Sequence, residues 1–520
     1  MPSYEYPNKF VPDFEEPPKT GFEIPPPPIP AQDLKKTYTA DVVVIGCGIS
    51  GMCAAISAAE NGAKVILVEK TGYYNQRGGH NAALHSKLQK AAGIKVDRDQ
   101  VVATIMEWGG YRANQDVVTA WADNCSDAMD WLIDMAEKSG IKVILEPTTK
   151  DWYFPNYPTI HAFRPRHQET LAEMLIANCK ARGVEFHFNS PAVQLIREDK
   201  GRVTGVIAKD PENGYARFDA NKGVIICTGD YGNDKEMVKK YCWPIISQLQ
   251  SEYTYTVKSR QIINTGDGHK MGIWIGAAID DPPHCALLFD WSSWAGWDSP
   301  YVGLFLLGRQ PWLHVNIRGE RFMNEDLPWA YEAAQRMRQP GMVSWSVWDS
   351  KWEQEWPKMH SQCCKNMMPQ ANLWHPEQFE SEIKQGHVLV AGSLEELAQK
   401  MEIPVDTFKA TVARYNELAG LGKDLDYGKH PDRLTTLEKP PFYTCKMDAR
   451  YLVILAGLQI NTRMQVLDTE GKVIPGLYAA GNASGSFFAY QYPTTVPGAT
   501  HSRAFTFGRL AGRNAALGLS

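Results

Sequence analysis

No two cysteines of this chain stand at CxxC spacing and none fall in a ferredoxin-like run. Although ten are present, the pattern signals neither a zinc site nor an iron–sulfur cluster, and no metal is expected. There is no basic excess either. The 54 Lys+Arg stand against 59 Asp+Glu, a formal charge of -5, which excludes the net positive surface that a nucleic-acid partner demands. No stretch approaches the ~20 apolar residues of a membrane span. The N-terminus, MPSYEYPNKFVPDFEEPPK, is acidic and Pro-rich where a signal peptide needs a basic start and an apolar run. A cytoplasmic protein with reduced thiols is expected.

At 520 residues the chain is long enough for two domains with sizeable cores. Residues 1–37 contain PPKTGFEIPPPPIP, which lacks backbone donors and predicts an extended Pro-rich arm rather than a folded unit. From Asp41 the run DVVVIG, a Gly-rich turn, the helical pattern SGMCAAISAAENGA and the run KVILVEK read β-α-β. The segments VQLIRE and RVTGVIAKD predict a hairpin-joined pair, and KGVIICTGD another buried strand. From about residue 281 to 448 this rhythm stops and tryptophans crowd in (Trp291, Trp294, Trp297, Trp312, Trp329, Trp345, Trp348, Trp352, Trp356), which marks a second domain. The fold class predicted is α/β: a discontinuous Rossmann-type domain, 38–280 plus 449–520, with an α+β capping domain, 281–448, inserted in it.

Gly46, Gly48 and Gly51 form GxGxxG between the first strand and the helix, and Glu69 closes the second strand. Each part has a physical reason. The first glycine permits the tight turn, the second lets backbone N–H groups of the helix mouth, Ile49 and Ser50 included, approach a pyrophosphate, and the third allows close helix–strand packing. Glu69 can accept the adenosine-ribose hydroxyls. FAD is favoured over NAD because a distant segment, IPGLYAAGN, matches the strand and Gly turn that hold a flavin, and no second βαβ fingerprint exists.

Several blocks, in this order, resemble the fumarate reductase and succinate dehydrogenase flavoprotein superfamily, and within it most of all the 3-ketosteroid dehydrogenases. They are RGGHNAA at Arg77–Ala83, ICTGDYGND at Ile226–Asp234, NTGDGHKMG at Asn264–Gly272, GERFMNEDLPW at Gly319–Trp329, IPGLYAAGN at Ile474–Asn482 and TFGRLAG at Thr506–Gly512. The resemblance implies further FAD contacts from Lys70, Gly78, Gly79, Asn81, Val193, Thr228, Gly229, Asp267, Gly481 and Asn482. Succinate-type enzymes carry a histidine for covalent flavin attachment where this chain has Gly72, so the FAD is expected to be non-covalent. His80 reads as a turn histidine near the cofactor.

The departures matter as much. Dicarboxylate reducers surround the substrate with a His and two Arg, since a dianion in a low-dielectric pocket needs paired positive charge. The matching positions here hold Val453, Trp329 and a residue near Thr494–Val496. In the ketosteroid dehydrogenases a Tyr hydroxyl and a Gly backbone N–H bind the ketone, and the matching segment here is YPTTVPG, with Tyr492 and Gly498 as the implied pair and Tyr490 as an alternative donor. The family's proton-transferring Tyr falls where Trp329 stands. An indole is too weak an acid for that task, so Tyr331 is the candidate replacement. Trp329, Tyr490, Trp291 and Trp294 are candidate walls of an apolar pocket. The resulting expectation is an FAD-dependent ene-reductase acting on a small apolar, carbonyl-bearing substrate such as a 3-oxo-Δ4-steroid or bile-acid enone, fed by a separate electron donor. A desaturating dehydrogenase, an aryl-acrylate reductase (with Arg309, Arg318 or Arg336 recruited) and a flavin-bearing redox sensor are the rival readings.

Overall fold

The computed structural model describes residues 21–519 apart from 77, 147–153, 155, 213, 252–253, 257–259, 293–307 and 360–375. Strand β1 (Leu34–Ile45), helix α1 (Ile49–Glu60) and strand β2 (Val65–Val68) form the expected βαβ unit. Val42, Val43 and Val44, with Ile66 and Leu67 opposite, are fully buried. That is why these runs are continuously apolar rather than alternating: a central parallel sheet is covered on both faces. β1 pairs in parallel with β2 from Val42↔Val65 to Ile45↔Val68 and, on its other edge, with Tyr215–Ile226. That strand is joined in turn by Val473–Ala479 from the far end of the chain, while Glu185–His187 adds to β2. Ala192–Arg197 and Val203–Lys209 form the predicted hairpin.

The C-terminal helix, Ala499–Leu517, lies against α1 with almost nothing between the two backbones. A Cβ at Gly508 would stand 2.3 Å from the Ser50 carbonyl oxygen, and one at Gly512 2.1 Å from that of Ala54. Trp121, on the helix Gln115–Lys138, donates its indole N–H to Ser502 Oγ at 2.8 Å and fixes the opposite face. The middle of the C-terminal helix is therefore locked to the start of α1, and its first turn to Trp121.

A second sheet is organised around the strand Phe442–Ile454, which pairs with Ala286–Ser292, Val343–Asp349, Val388–Ala391 and the short Gln250–Ser251. The boundary expected at 448/449 falls inside this strand, which runs on without a break. Trp312, Trp348 and Trp352 are buried in this half as core. The segment GERFMNED is pinned by a buried ion cluster: Arg321 contacts Glu325 at 2.8 Å and Asp424 at 2.7 Å, and Lys429 contacts Glu325 at 3.3 Å. Burial pushes Glu325 up, but Arg321 and Lys429 outweigh it and hold the carboxyl at about 2. This anchor sets the position of the following helix, Trp329–Met337.

The described part of the Pro-rich arm is tied down. Trp274 donates to the Phe22 carbonyl at 2.8 Å, Phe22 meets the Tyr241 ring edge-on, and Lys240 pairs with Glu23 at 2.5 Å. Among the described residues no helix is long and apolar enough to cross a membrane.

Candidate active site

One cavity runs from the Gly-rich turn to the start of the C-terminal helix. Gly46, Gly48, Ile49, Ser50, Glu69, Lys70, Gly78, Gly79, Thr228, Gly229, Asp267, Gly481 and Asn482 all lie in its wall, and so do Trp329, Tyr492 and Gly498. The three glycines divide their tasks. At Gly46 (φ +105) and at Gly51 a Cβ would strike protein backbone, at 2.3 Å from the Cys227 oxygen and 1.9 Å from the Gly46 oxygen respectively. At Gly48 the nearest protein atom would be 3.7 Å away. The first and third glycines serve packing, whereas the space beside the second belongs to whatever enters the cavity.

Glu69 is buried; its Oε2 accepts from the Cys47 N–H at 2.7 Å, and its Oε1 accepts from the Thr71 N–H and hydroxyl, both at 2.8 Å. It thus ties the glycine turn to the end of β2 while Oε2 keeps a lone pair for a ribose hydroxyl. Burial raises its pKa, with these hydrogen bonds opposing. Lys70 meets Asp267 at 2.9 Å and Thr265 at 2.6 Å. Two buried hydroxyls of the wall, Thr228 Oγ1 and Thr494 Oγ1, have no hydrogen-bond partner, as expected of a cradle built for a ligand rich in donors and acceptors. The glycine cradle, the ribose-facing acid and these orphaned hydroxyls fit FAD.

At the other end, Gly498 (φ +85) caps the C-terminal helix, and a Cβ there would stand 2.7 Å from the Ala82 nitrogen. Only glycine allows the helix to start against the short strand Asn81–Ala82. Tyr492 is buried with its ring beside Phe488. Gly78 receives His501, whose Cε1 would lie 2.4 Å from an added Cβ, and His501 Nδ1 is 2.9 Å from the His80 oxygen. His80 is itself in the wall, with Nε2 3.1 Å from Glu146, which Arg164 holds at 2.7 Å.

Other expected residues stand elsewhere. Asn81 is buried but spends its side-chain amide on a reciprocal pair with Gln168 at 2.9–3.0 Å, so it supports the short strand rather than the cavity. Ala192, not Val193, faces the cavity, a one-residue shift that follows from the alternation of a strand. Tyr331 is outside the wall, stacked on Trp108 at 4.7 Å; two residues along a helix from Trp329 turns its ring about 200° away. Tyr490 is 47% exposed against Trp243. The Trp291 side chain and Trp294 lie outside the described residues.

A βαβ glycine cradle completed by a distant strand and by the mouth of the last helix defines an FAD-dependent oxidoreductase. The chain belongs to the FAD binding domain family, which matches residues 41–494. It is 27% identical to the vinyl phenol reductase of Lactiplantibacillus plantarum over 93% of this chain and 97% of that one. It is also 27% identical to a fumarate reductase (cytochrome) of Shewanella frigidimarina over 92% of this chain and 77% of that one. In fold it is similar to the 3-ketosteroid-Δ4-(5α)-dehydrogenase of Rhodococcus jostii, with a TM-score of 0.69 at 22% identity, covering 94% of this chain and 99% of that one.

Proposed function

We propose that this enzyme reduces a carbon–carbon double bond conjugated to a carbonyl on an uncharged, ring-bearing substrate, with 3-oxo-Δ4-steroids and bile-acid derivatives as the substrate class. The observation that carries the reading is the character of the wall around Tyr492. Trp329, Leu287, Leu452 and Val453 give it an apolar surface, and among the described wall residues the only Lys or Arg is Lys70, already paired with Asp267. A dicarboxylate would find no unpaired cation in the described wall, the buried Arg309 standing outside it with its guanidinium 4.8 Å from the Trp329 ring, and burying such an anion uncompensated costs several kcal/mol per ion by order of magnitude.

Bound FAD supplies the hydride. Tyr492 O–H and Gly498 N–H are assigned to the carbonyl oxygen, where they stabilise the negative charge that develops as the β carbon is reduced. The apolar side chains exclude water and so strengthen both interactions. With Tyr331 turned away, His80 takes the role of delivering the proton to the α carbon, since it stands in the wall and its partner Glu146 can support the charged ring. Electrons come from a separate protein or carrier, as the chain has a single nucleotide fingerprint.

A second reading, reduction of the side-chain double bond of a small vinyl phenol or aryl acrylate, is favoured by the near full-length likeness to the vinyl phenol reductase. Turnover of a mixed panel with a reduced viologen as donor separates the two. A steroid enone gaining two hydrogens supports the first, and conversion of vinyl phenols alone supports the second. Formation of a double bond in a saturated ketone, with an artificial acceptor, would instead make the enzyme a dehydrogenase.

A further inference from the structure

The cavity wall holds one acid for which neither the glycine cradle nor the carbonyl site has a use. Asp230 follows Gly229 at the end of the strand Tyr215–Ile226, is 1% exposed and lines the same cavity as Gly48 and Asn482. Its Oδ1 accepts from the Gly232 N–H at 2.6 Å, while Oδ2 is buried and makes no hydrogen bond of normal length and angle, with the Ile454 N–H and the Asn482 side-chain amide as its weaker polar neighbours.

No cation is paired with it among the described residues. Tyr231 and Cys242 on one side, and Tyr451 on the strand Phe442–Ile454 on the other, are all pushed upward by burial and stay neutral near pH 7. His269, edge-on to Tyr231, is driven down to about 4 and is neutral as well. Lys235 lies over the outer Tyr451 ring. Arg503 spends its guanidinium on the Asn482 Oδ1 at 2.9 Å and the Ser484 carbonyl. An unpaired carboxylate in such a place is strongly disfavoured and takes up a proton instead.

We propose that Asp230 is a proton-binding residue of the FAD site: it stands in the cavity wall as a neutral acid when the cofactor is bound, so that FAD binding takes up a proton and release of FAD is favoured as the pH rises. The sign follows from charge. The pyrophosphate of FAD brings two negative charges into a cavity that already disfavours the ionised form, and the bound cofactor separates the carboxyl further from bulk solvent. Both effects hold the proton on. Without cofactor, burial already raises Asp230 to about 7, the amides of Gly232 and Ile454 opposing it. Glu69, a second wall acid, has the opposite linkage, since ribose hydroxyls donating to it favour its charged form, and Asp267, the third, is held charged by Lys70.

The test measures FAD affinity of the full-length chain, stripped of cofactor and reloaded, from about pH 6 to about pH 9, in the wild type and in Asp230→Asn. The wild-type dissociation constant is expected to rise by up to about tenfold per pH unit above about pH 7, and that of Asp230→Asn to stay flat. Calorimetry of FAD binding to the wild type, in two buffers of different ionisation enthalpy at pH 8, supplies a reading that needs no variant. Proton uptake supports the proposal, and equal enthalpies in the two buffers overturn it even if Asp230→Asn fails to fold. The same pH slope in wild type and Asp230→Asn overturns it as well.

Discussion

The division of labour among the three glycines makes a sharp prediction, because the same Gly→Ala change should do opposite things three residues apart. At Gly48 the backbone is at φ -86, which alanine adopts freely, and the new methyl meets nothing closer than 3.7 Å. Folding of the cofactor-free chain should change by less than about 1 kcal/mol. The methyl does occupy the approach to the N–H groups of the α1 mouth. Losing one charge-assisted amide–phosphate bond costs about 1.5–3 kcal/mol, a rise in the FAD dissociation constant of roughly 10- to 150-fold. At Gly51 the methyl would lie 1.9 Å from the Gly46 oxygen. Backbone must move, and overpacking of this kind costs about 1–3 kcal/mol or more. Thermal unfolding of the stripped proteins with parallel FAD titration reads both quantities. Gly48→Ala with wild-type FAD affinity, or Gly51→Ala with wild-type stability, would refute the assignment.

Other outcomes follow from the same geometry. Glu325 has a folded-state pKa of about 2, below its unfolded value. Its contribution to stability is therefore present above about pH 4.3 and is lost as the pH falls toward 2. Glu325→Gln should cost about 3–5 kcal/mol at neutral pH and flatten the acid limb of a stability–pH curve. Tyr492→Phe should retain FAD and lower kcat by about 10²–10³, the loss of one donor to a developing oxyanion. Tyr331→Phe should leave turnover within about twofold, because its ring packs on Trp108 outside the cavity wall.

What could be read from the sequence was what is local. DVVVIGCGISG and KVILVEK carry strand, turn, helix and acid within one unit, and the expected hairpin Ala192–Arg197/Val203–Lys209 is likewise set by neighbours in sequence. The family blocks added the long-range part, bringing the Gly481 and Gly498 segments to the same cavity. What stayed hidden depended on direction and on distant burial. Val193 and Tyr331 stand one and two positions from the wall residues Ala192 and Trp329, and in a strand or helix that suffices to turn a side chain to another face. Asp230 sits inside a block quoted for its glycine, but an acid after Gly at a strand end reads as a solvated turn. Only the distant strand Phe442–Ile454 and the Asn482 turn make it a buried acid. The Pro-rich arm gave no sign that Phe22 and Glu23 would be held by Trp274, Tyr241 and Lys240.

The central claim is the direction of the chemistry on an uncharged enone. It is tested most directly by reducing the holoenzyme anaerobically with dithionite, mixing it rapidly with a 3-oxo-Δ4-steroid, a vinyl phenol or fumarate, and following the flavin absorbance. Rapid reoxidation by the steroid, with saturated ketone as product, and no response to fumarate is the predicted result. A reduced flavin that ignores every enone, while the oxidised holoenzyme is bleached by a saturated 3-ketone, would contradict it.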